Sequence, residues 1–347
     1  MNLSTRFRLP GVIAVTALVM AACGGDDAAE EPEPDEAADT AAEEEQPEDA
    51  DDAEEAEGDD GELRTLTVGA LPIVDSAVLW IAMDEGLFAD AGLEIETQPI
   101  AGGAAAVPAL VAGDLDISNG NHVSFILAAA EGLDIRLVNE ATHGVSMTNA
   151  LIAPEGSDIE GPADMGGATI ALNTFANITE LIVRVTLADA GLGEEDYTFT
   201  EIPFPEQGAA LERGDIDVGL LPEPFVTILT NDGNKVVGDP MTTPGLEGLP
   251  LVGYAATGEF VNENPEVIEA FQGAMAEATQ IAMDDPSRVA DVLLENTQIP
   301  EAMVNDITLP GWGSTPEVEG YERTHELMME YGLLEEPVDN LADLVVN

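Results

Sequence analysis

Little in this chain could do covalent chemistry. Its single cysteine, Cys23, has no partner for an intramolecular disulfide. His122, His143 and His325 are scattered without metal-ligand spacing, and the sole lysine, Lys235, follows the turn-rich Asn231-Asp232-Gly233-Asn234. What remains suits recognition of a small molecule. Pro72, Asp75 and Ser76 form one cluster, Gly102 and Gly103 a second, and Asn119-Gly120-Asn121 a third. Asn173, Thr174 and Asn177 form a fourth, Glu223 sits between Pro222 and Pro224, and Tyr254 offers a ring that could stack on a ligand. Side-chain amides supply donors and acceptors, acids favour a neutral or cationic nitrogen, and glycine lets backbone approach a ligand closely. Each cluster also has a plainer reading: Asp75 suits an N-cap, Gly102-Gly103 a tight turn, and Asn-Gly-Asn is common turn chemistry. Glu223 could simply orient its loop.

These clusters fall where strands would give way to helices. Leu66–Ala70 reads as a strand, followed by a helix capped by Asp75 or Ser76 that stops at Gly86. Leu93–Thr97 leads to Gly102-Gly103 and a helix over 104–111; Leu115–Ser118 leads to Asn119-Gly120-Asn121 and a helix over 123–130; Ile135–Val138 is a fourth strand. A second set has strands at 168–172, 197–202 and 216–220 with helices over 178–190 and 206–213. Repeated strand-helix pairs joined by short turns predict parallel strands with right-handed crossovers. The last hundred residues read as helical. Asn264-Pro265 starts a helix whose apolar face is Val267, Ile268, Phe271, Met275, Ala278 and Ala282, expected to pack on the first lobe.

Arg6 and Arg8 precede an apolar run from Val12 to Ala22, too short to span a bilayer and patterned as a secretory signal. Val19-Met20-Ala21-Ala22-Cys23 resembles a bacterial lipobox, in which the signal is cut before the cysteine and that cysteine is acylated. From Gly24 to Glu62 the chain has 21 acidic residues, no basic one and no aromatic, a composition that cannot bury a core and reads as a tether. The whole chain carries a formal net charge of −61, and the part beyond Glu62 retains 49 acids against 7 bases, near −42. Such a surface excludes nucleic acid as a partner and is consistent with a saline exterior, where salt screens self-repulsion.

Gly86-Leu87-Phe88 followed by Ala91-Gly92-Leu93-Glu94-Ile95, then Ala109–Asp116, resembles the extracytoplasmic solute-binding proteins of the sulfonate, nitrate and thiamine-precursor ABC transporter group. So do Ala209–Asp217, Pro222-Glu223-Pro224-Phe225 and the tail Met329–Asp339. The resemblance implies an α/β, two-lobed, type II periplasmic-binding-protein-like fold with the ligand in a cleft between lobes. It also implies delivery of a small molecule to ABC permease and ATPase subunits. One branch of that group makes a pyrimidine with bound pyridoxal cofactor, which needs a suitably placed lysine; Lys235 lies outside the predicted cleft loops. A binding protein without cofactor, metal or catalytic residue is therefore expected, and a ligand sensor with the same fold but no importer is the alternative.

The expected organisation is a signal at 1–22, a lipidated Cys23 with tether to 62, one lobe from 63–148 and 252–347, and another from 149–251. Crossings between lobes are placed near Ser146–Ala153 and Pro250–Ala256. A monomer anchored at the outer face of a bacterial cell membrane is expected, its ligand bridging Asn121 to Asn173 or Glu223. With no arginine in any cleft loop there is no bidentate clamp for an oxyanion. A pyrimidine precursor or similar nitrogen compound is favoured, with a sulfonate held by helix N-termini next.

Overall fold

The structure, a computed structural model, describes residues 63–346. The signal, Cys23 and the acidic tether lie outside the described residues. Two mixed sheets carry the fold. The first contains β1 (Arg64–Ala70), β2 (Leu93–Pro99), β3 (Ile117–Gly120), β4 (Ile135–His143), β10 (Pro250–Thr257) and β11 (Gly311–Trp312) in the order β11-β4-β10-β3-β1-β2. The second contains β5 (Asn149–Ala153), β6 (Thr169–Leu172), β7 (Thr198–Glu201), β8 (Val218–Pro222) and β9 (Lys235–Gly238) in the order β7-β6-β8-β5-β9. The protein is thus an α/β molecule with two lobes, each built on one sheet.

The predicted parallel pairing holds in part. β2-β1-β3 and β7-β6-β8 are parallel triplets. β10, however, runs antiparallel between β3 and β4, and β5 runs antiparallel between β8 and β9. Both inserted strands follow a crossing of the chain from one sheet to the other. The crossings are residues 144–148, overlapping the start of the first stretch expected, and 239–249, just before the second, because Asn149–Ala153 and Pro250–Thr257 are already paired as strands.

The helices follow from local sequence. α1 (Ala77–Asp84) buries Val78, Leu79, Trp80 and Ile81, so Trp80 is core. α2 (Leu87–Asp90) begins after Gly86, whose left-handed φ of 74° ends the preceding helix. α3 (Gly103–Ala112), α4 (His122–Ala130), α5 (Ile178–Asp189), α6 (Phe204–Arg213) and α7 (Phe225–Asn231) start at the ends of β2, β3, β6, β7 and β8. α8 (Gly258–Glu263), α9 (Pro265–Asp284), α10 (Pro286–Asn296) and α11 (Val318–Glu330) close the chain. All six residues of the predicted apolar face of α9 are buried, and Phe271 stacks on Phe88 at 5.4 Å between ring centroids, which seats this helix on the first lobe.

The Gly-Asp-x-Asp segment that occurs twice, at 113–116 and 214–217, has the same task in both lobes. Asp116 accepts the Thr67 N–H at 2.8 Å and returns its own N–H to the Thr67 carbonyl at 2.9 Å; Asp217 does the same with Thr169 at the same distances. Each aspartate pins its sheet's central parallel strand, β1 at its middle and β6 at its first residue.

Candidate ligand-binding site

A cavity of about 40 Å³ lies between the two sheets. It is lined from the first lobe by Leu71, Ile73, Asp75, Gly102, Gly103, Asn119, Gly120, Asn121, Leu251 and Val252. The second lobe contributes Asn149, Asn173, Asn177, Ile178, Thr179, Phe204 and Pro222. By volume it holds a few waters. A complete organic solute needs more, so capture requires the lobes to part or the solute to extend. An apolar groove of about 300 Å³ adjoins it, sharing Leu71 and Phe204 and adding Pro72, Ile100, Pro203, Pro205 and Phe225.

The lobes meet through side-chain amides. Asn121 caps α4 by accepting the Ser124 N–H at 3.0 Å, and its amide donates to Asn177 Oδ1 across the cleft at 2.7 Å. The same Asn121 oxygen accepts the Ile178 N–H at 3.2 Å, so one side chain serves the first turns of two helices on opposite lobes. Asn173 donates to the Ala101 carbonyl at 2.9 Å, and the Ser124 hydroxyl donates to the Ala176 carbonyl at 2.9 Å. Ala176 presents that carbonyl from a left-handed backbone at φ 54°, a strained position for a residue with a Cβ. Asn177 donates to Thr174 Oγ1 at 2.7 Å and Asn173 Oδ1 at 3.1 Å, which fixes the second lobe's polar wall. Gly102 makes the approach possible: a Cβ there would stand 2.7 Å from Asn173 Nδ2 and 2.9 Å from Thr174 Oγ1.

α3, α4 and α5 all begin at this cavity, so three helix N-termini bring unpaired N–H groups and partial positive charge to it. Asp75 is the one charged side chain in the lining. It does not cap α1. The cap residue Ser76 makes no capping bond either, and the Thr142 hydroxyl donates to Asp75 Oδ1. Burial pushes the Asp75 carboxyl up to about 6, opposed by the Thr142 hydroxyl and by its own backbone N–H.

The remaining expected residues lie beside or behind the cavity. Pro72 lines the apolar groove, and Thr174 supports Asn177. Ser76 accepts the Asn119 amide at 3.3 Å beneath the lining. Tyr254 is fully buried, packing edge-on against Phe271 at 5.7 Å; β10 turns Leu251 and Val252 to the cavity, so this ring is core. Glu223 also lies outside the lining. Its carboxylate accepts the Thr227 N–H at 3.0 Å, the Thr227 hydroxyl at 2.8 Å and the Thr308 N–H at 3.1 Å, and burial pushes its pKa up against those bonds. Arg184 pairs with Glu180 at 2.8 Å, also outside the lining. Lys235 pairs with Glu160 at 2.6 Å, away from the lining.

Sequence reasoning missed Leu71, Asn149, Ile178, Thr179, Phe204, Leu251 and Val252. Asn149 carried a usable signal, a polar residue opening the otherwise apolar strand β5, and Phe204 another, an aromatic between prolines at a helix start.

Residues 74–289, which hold the whole second sheet, strands β2, β3, β4 and β10 of the first and every helix start at the cavity, match the family described as NMT1/THI5 like. The chain belongs to that family. Among curated relatives, the taurine-binding periplasmic protein of Escherichia coli K12 is 27% identical over 208 residues, 59% of this chain and 63% of that protein. The chain therefore spans less than two thirds of that relative's length. The formylaminopyrimidine-binding protein of Halalkalibacterium halodurans is 24% identical over 245 residues, 69% of this chain and 72% of the relative. Among solved structures, the alkanesulfonate-binding protein SsuA of Xanthomonas axonopodis pv. citri, bound to MOPS, superimposes with a TM-score of 0.72 at 19% identity. That match covers 82% of this chain and 99% of the other. The fold is that of periplasmic binding proteins. It also occurs in the desulfurization enzyme DSZB, at a TM-score of 0.59 and 17% identity, so fold alone does not separate binding from catalysis here.

Proposed function

We propose that this NMT1/THI5-like chain is the solute-capturing component of an ABC importer, a lipoprotein held at the outer face of a bacterial cell membrane by acylated Cys23. The observation that carries this reading is the convergence of three helix N-termini and the amides of Asn121, Asn173 and Asn177 on one cavity between two lobes. Such a site holds an anionic or acceptor-rich group by N–H donors without a cationic side chain. The apolar groove past Leu71 and Phe204 suits the carbon part of an organic solute. A pyrimidine precursor or related nitrogen compound fits both features, and so does a small sulfonate; relatives of the chain are named for binding solutes of both kinds. The lining contains no nucleophile paired with a base, which favours capture over catalysis.

Mass spectrometry under native conditions tests the reading directly. A co-purifying organic molecule of a few hundred daltons or less is expected. Its absence, together with no thermal shift from taurine, alkanesulfonates or formylaminopyrimidine, would overturn the reading. Cys23→Ser should release the protein from membranes into the medium; continued pelleting with membranes would remove the anchor.

A further inference from the structure

We propose that Asp75 is the specificity-determining residue of this site and that it demands an amino or comparable N–H group on the solute. The inference rests on the reading of the chain as a solute-binding protein and narrows the chemistry of its ligand. Asp75 is 4% exposed, borders the cavity and is the lining's sole charged group. Its one side-chain partner is the Thr142 hydroxyl. The basic side chains of the described residues are engaged elsewhere: Arg136 with Asp134, Arg184 with Glu180, Arg213 with Asp215, Arg288 with Glu85, Lys235 with Glu160, Arg64 with Asn264 and Arg323 with backbone carbonyls at 245 and 247. A buried carboxylate without a protein cation is costly, and a donor group on a ligand offsets that cost. The first turns of α3, α4 and α5 bring partial positive charge to the same cavity. The solute this cavity fits carries a hydrogen-bond donor at one end and an acceptor or anion at the other.

The same geometry makes binding proton-linked. Asp75 lies in the turn Val74–Ser76, which packs against β4, and the Val74 N–H donates to the Glu223 carbonyl. The titratable groups on these neighbours, on the adjoining α1 and on β10 are Arg136, Glu140, His143, Asp84, Tyr254 and Glu223, none of which lines the cavity. Glu140 faces His122 at 3.1 Å, Glu223 is taken up by Thr227 and Thr308, and burial keeps the Tyr254 hydroxyl protonated. Asp75, which titrates at about 6, is therefore the group a solute titrates on arrival. A donor stabilises the ionised carboxylate, so binding expels the proton, and affinity falls as pH drops through that value.

Isothermal titration calorimetry on the purified full-length protein tests this with two probe pairs, aminopropanesulfonate against propanesulfonate and aminopyrimidine against pyrimidine. At pH 8 the amino member of at least one pair should bind about ten-fold tighter or more, on the order of one buried charge-assisted bond. That margin should collapse at pH 5 and in Asp75→Asn at either pH. Thr142→Val deletes the donor that favours the ionised carboxylate and should move the pH midpoint of binding upward, a readout that survives if Asp75→Asn folds poorly. Equal affinities within both pairs at pH 8, or an undiminished margin in Asp75→Asn, would overturn the role of Asp75 and leave solute capture standing. Binding of none of the four probes would also overturn it, and the mass of the co-purifying molecule would then decide the broader reading separately.

Discussion

The two lobes repeat each other down to single hydrogen bonds, and then diverge where they face the cleft. In both, a central strand is flanked by parallel neighbours, the helix before the third strand ends on a left-handed glycine, Gly113 or Gly214, and an aspartate three residues later pins the central strand. The cleft loops share nothing comparable. After β1 comes Leu71–Ser76 with its buried acid, whereas after β6 comes Asn173–Asn177 with two amides. After β2 comes Gly102-Gly103, whereas after β7 comes Pro203-Phe204-Pro205. What is duplicated is architecture, and what is not duplicated selects the ligand. The two Gly-Asp-x-Asp segments, which are among those that carry the family resemblance, are therefore evidence about the sheet and say nothing about the solute.

The comparison breaks most severely at Asn121, the one side chain that serves helices of both lobes. Asn121→Ala removes the α4 cap and both bonds that its side chain makes across the cleft, leaving the Ile178 N–H and Asn177 Oδ1 with only each other. At about 1 kcal/mol for each bond, the loss is about 3 kcal/mol, of which the two bonds across the cleft, about 2 kcal/mol, belong to the closed form. Affinity for the co-purifying solute should drop about thirty-fold by calorimetry. X-ray scattering should show that the contraction on ligand binding expected of a two-lobed protein is lost in this variant.

Next in size is the asymmetry of charge, and here the variant should gain stability. The Asp75 carboxyl titrates near 6 in the folded protein against 3.8 in an unfolded chain, so the folded state holds the proton more tightly. Its contribution is neutral below about pH 4, becomes unfavourable as pH rises through 6, and is then worth about 3 kcal/mol against folding. Asp75→Asn should raise the thermal midpoint of the ligand-free protein by several degrees at pH 8 and leave it unchanged at pH 3. A lower midpoint at pH 8 would mean that the carboxylate is better satisfied than its single hydroxyl partner suggests.

How much of this was legible in the sequence differs by layer. The apolar face of α9 could be read because six residues at helical spacing admit one face. The helix starts at Asn121 and Asn177 were legible because a capping amide acts on its own next turn. All four of the clusters named from sequence reach one cavity, through Asp75, Gly102, Asn121 and Asn173. The insertion of β5 and β10 was not legible, since each pairs with strands that are not its neighbours in sequence, and the pattern of a doubly flanked strand is apolar whichever way it runs. Tyr254 and Glu223 were misplaced for a related reason. Sequence locates a residue at a strand end, but the tertiary pairing decides which face it presents.

A smaller effect should follow from filling the closest approach between the lobes. In Gly102→Ala the new Cβ meets Asn173 Nδ2 and Thr174 Oγ1, side-chain ends already held by bonds to the Ala101 carbonyl and to Asn177. The backbone at Gly102 is extended, so the alanine costs nothing in the open form. Closure should cost about 1–2 kcal/mol more, which gives about ten-fold weaker binding with an unchanged ligand-free thermal midpoint. A drop in that midpoint would mean that the ligand-free protein is already closed.

The smallest effect separates the two acids nominated from sequence. Glu223→Gln keeps the size of the side chain but turns an NH₂ group toward donors, since Thr227 and Thr308 both present N–H groups to the carboxylate. One of those bonds must weaken, at about 1 kcal/mol. Thr308 lies in the stretch that leads into β11 of the first sheet, so this bond joins the lobes and its loss should slightly disfavour closure. The penalty is the same for any ligand, because the group does not border the cavity. Calorimetry on the probe pairs should therefore show Glu223→Gln weakening amino and amine-free members alike by a few-fold, with the amino preference intact. A selective loss of the amino member would place Glu223 in contact with the solute and make the second lobe a carrier of charge as well.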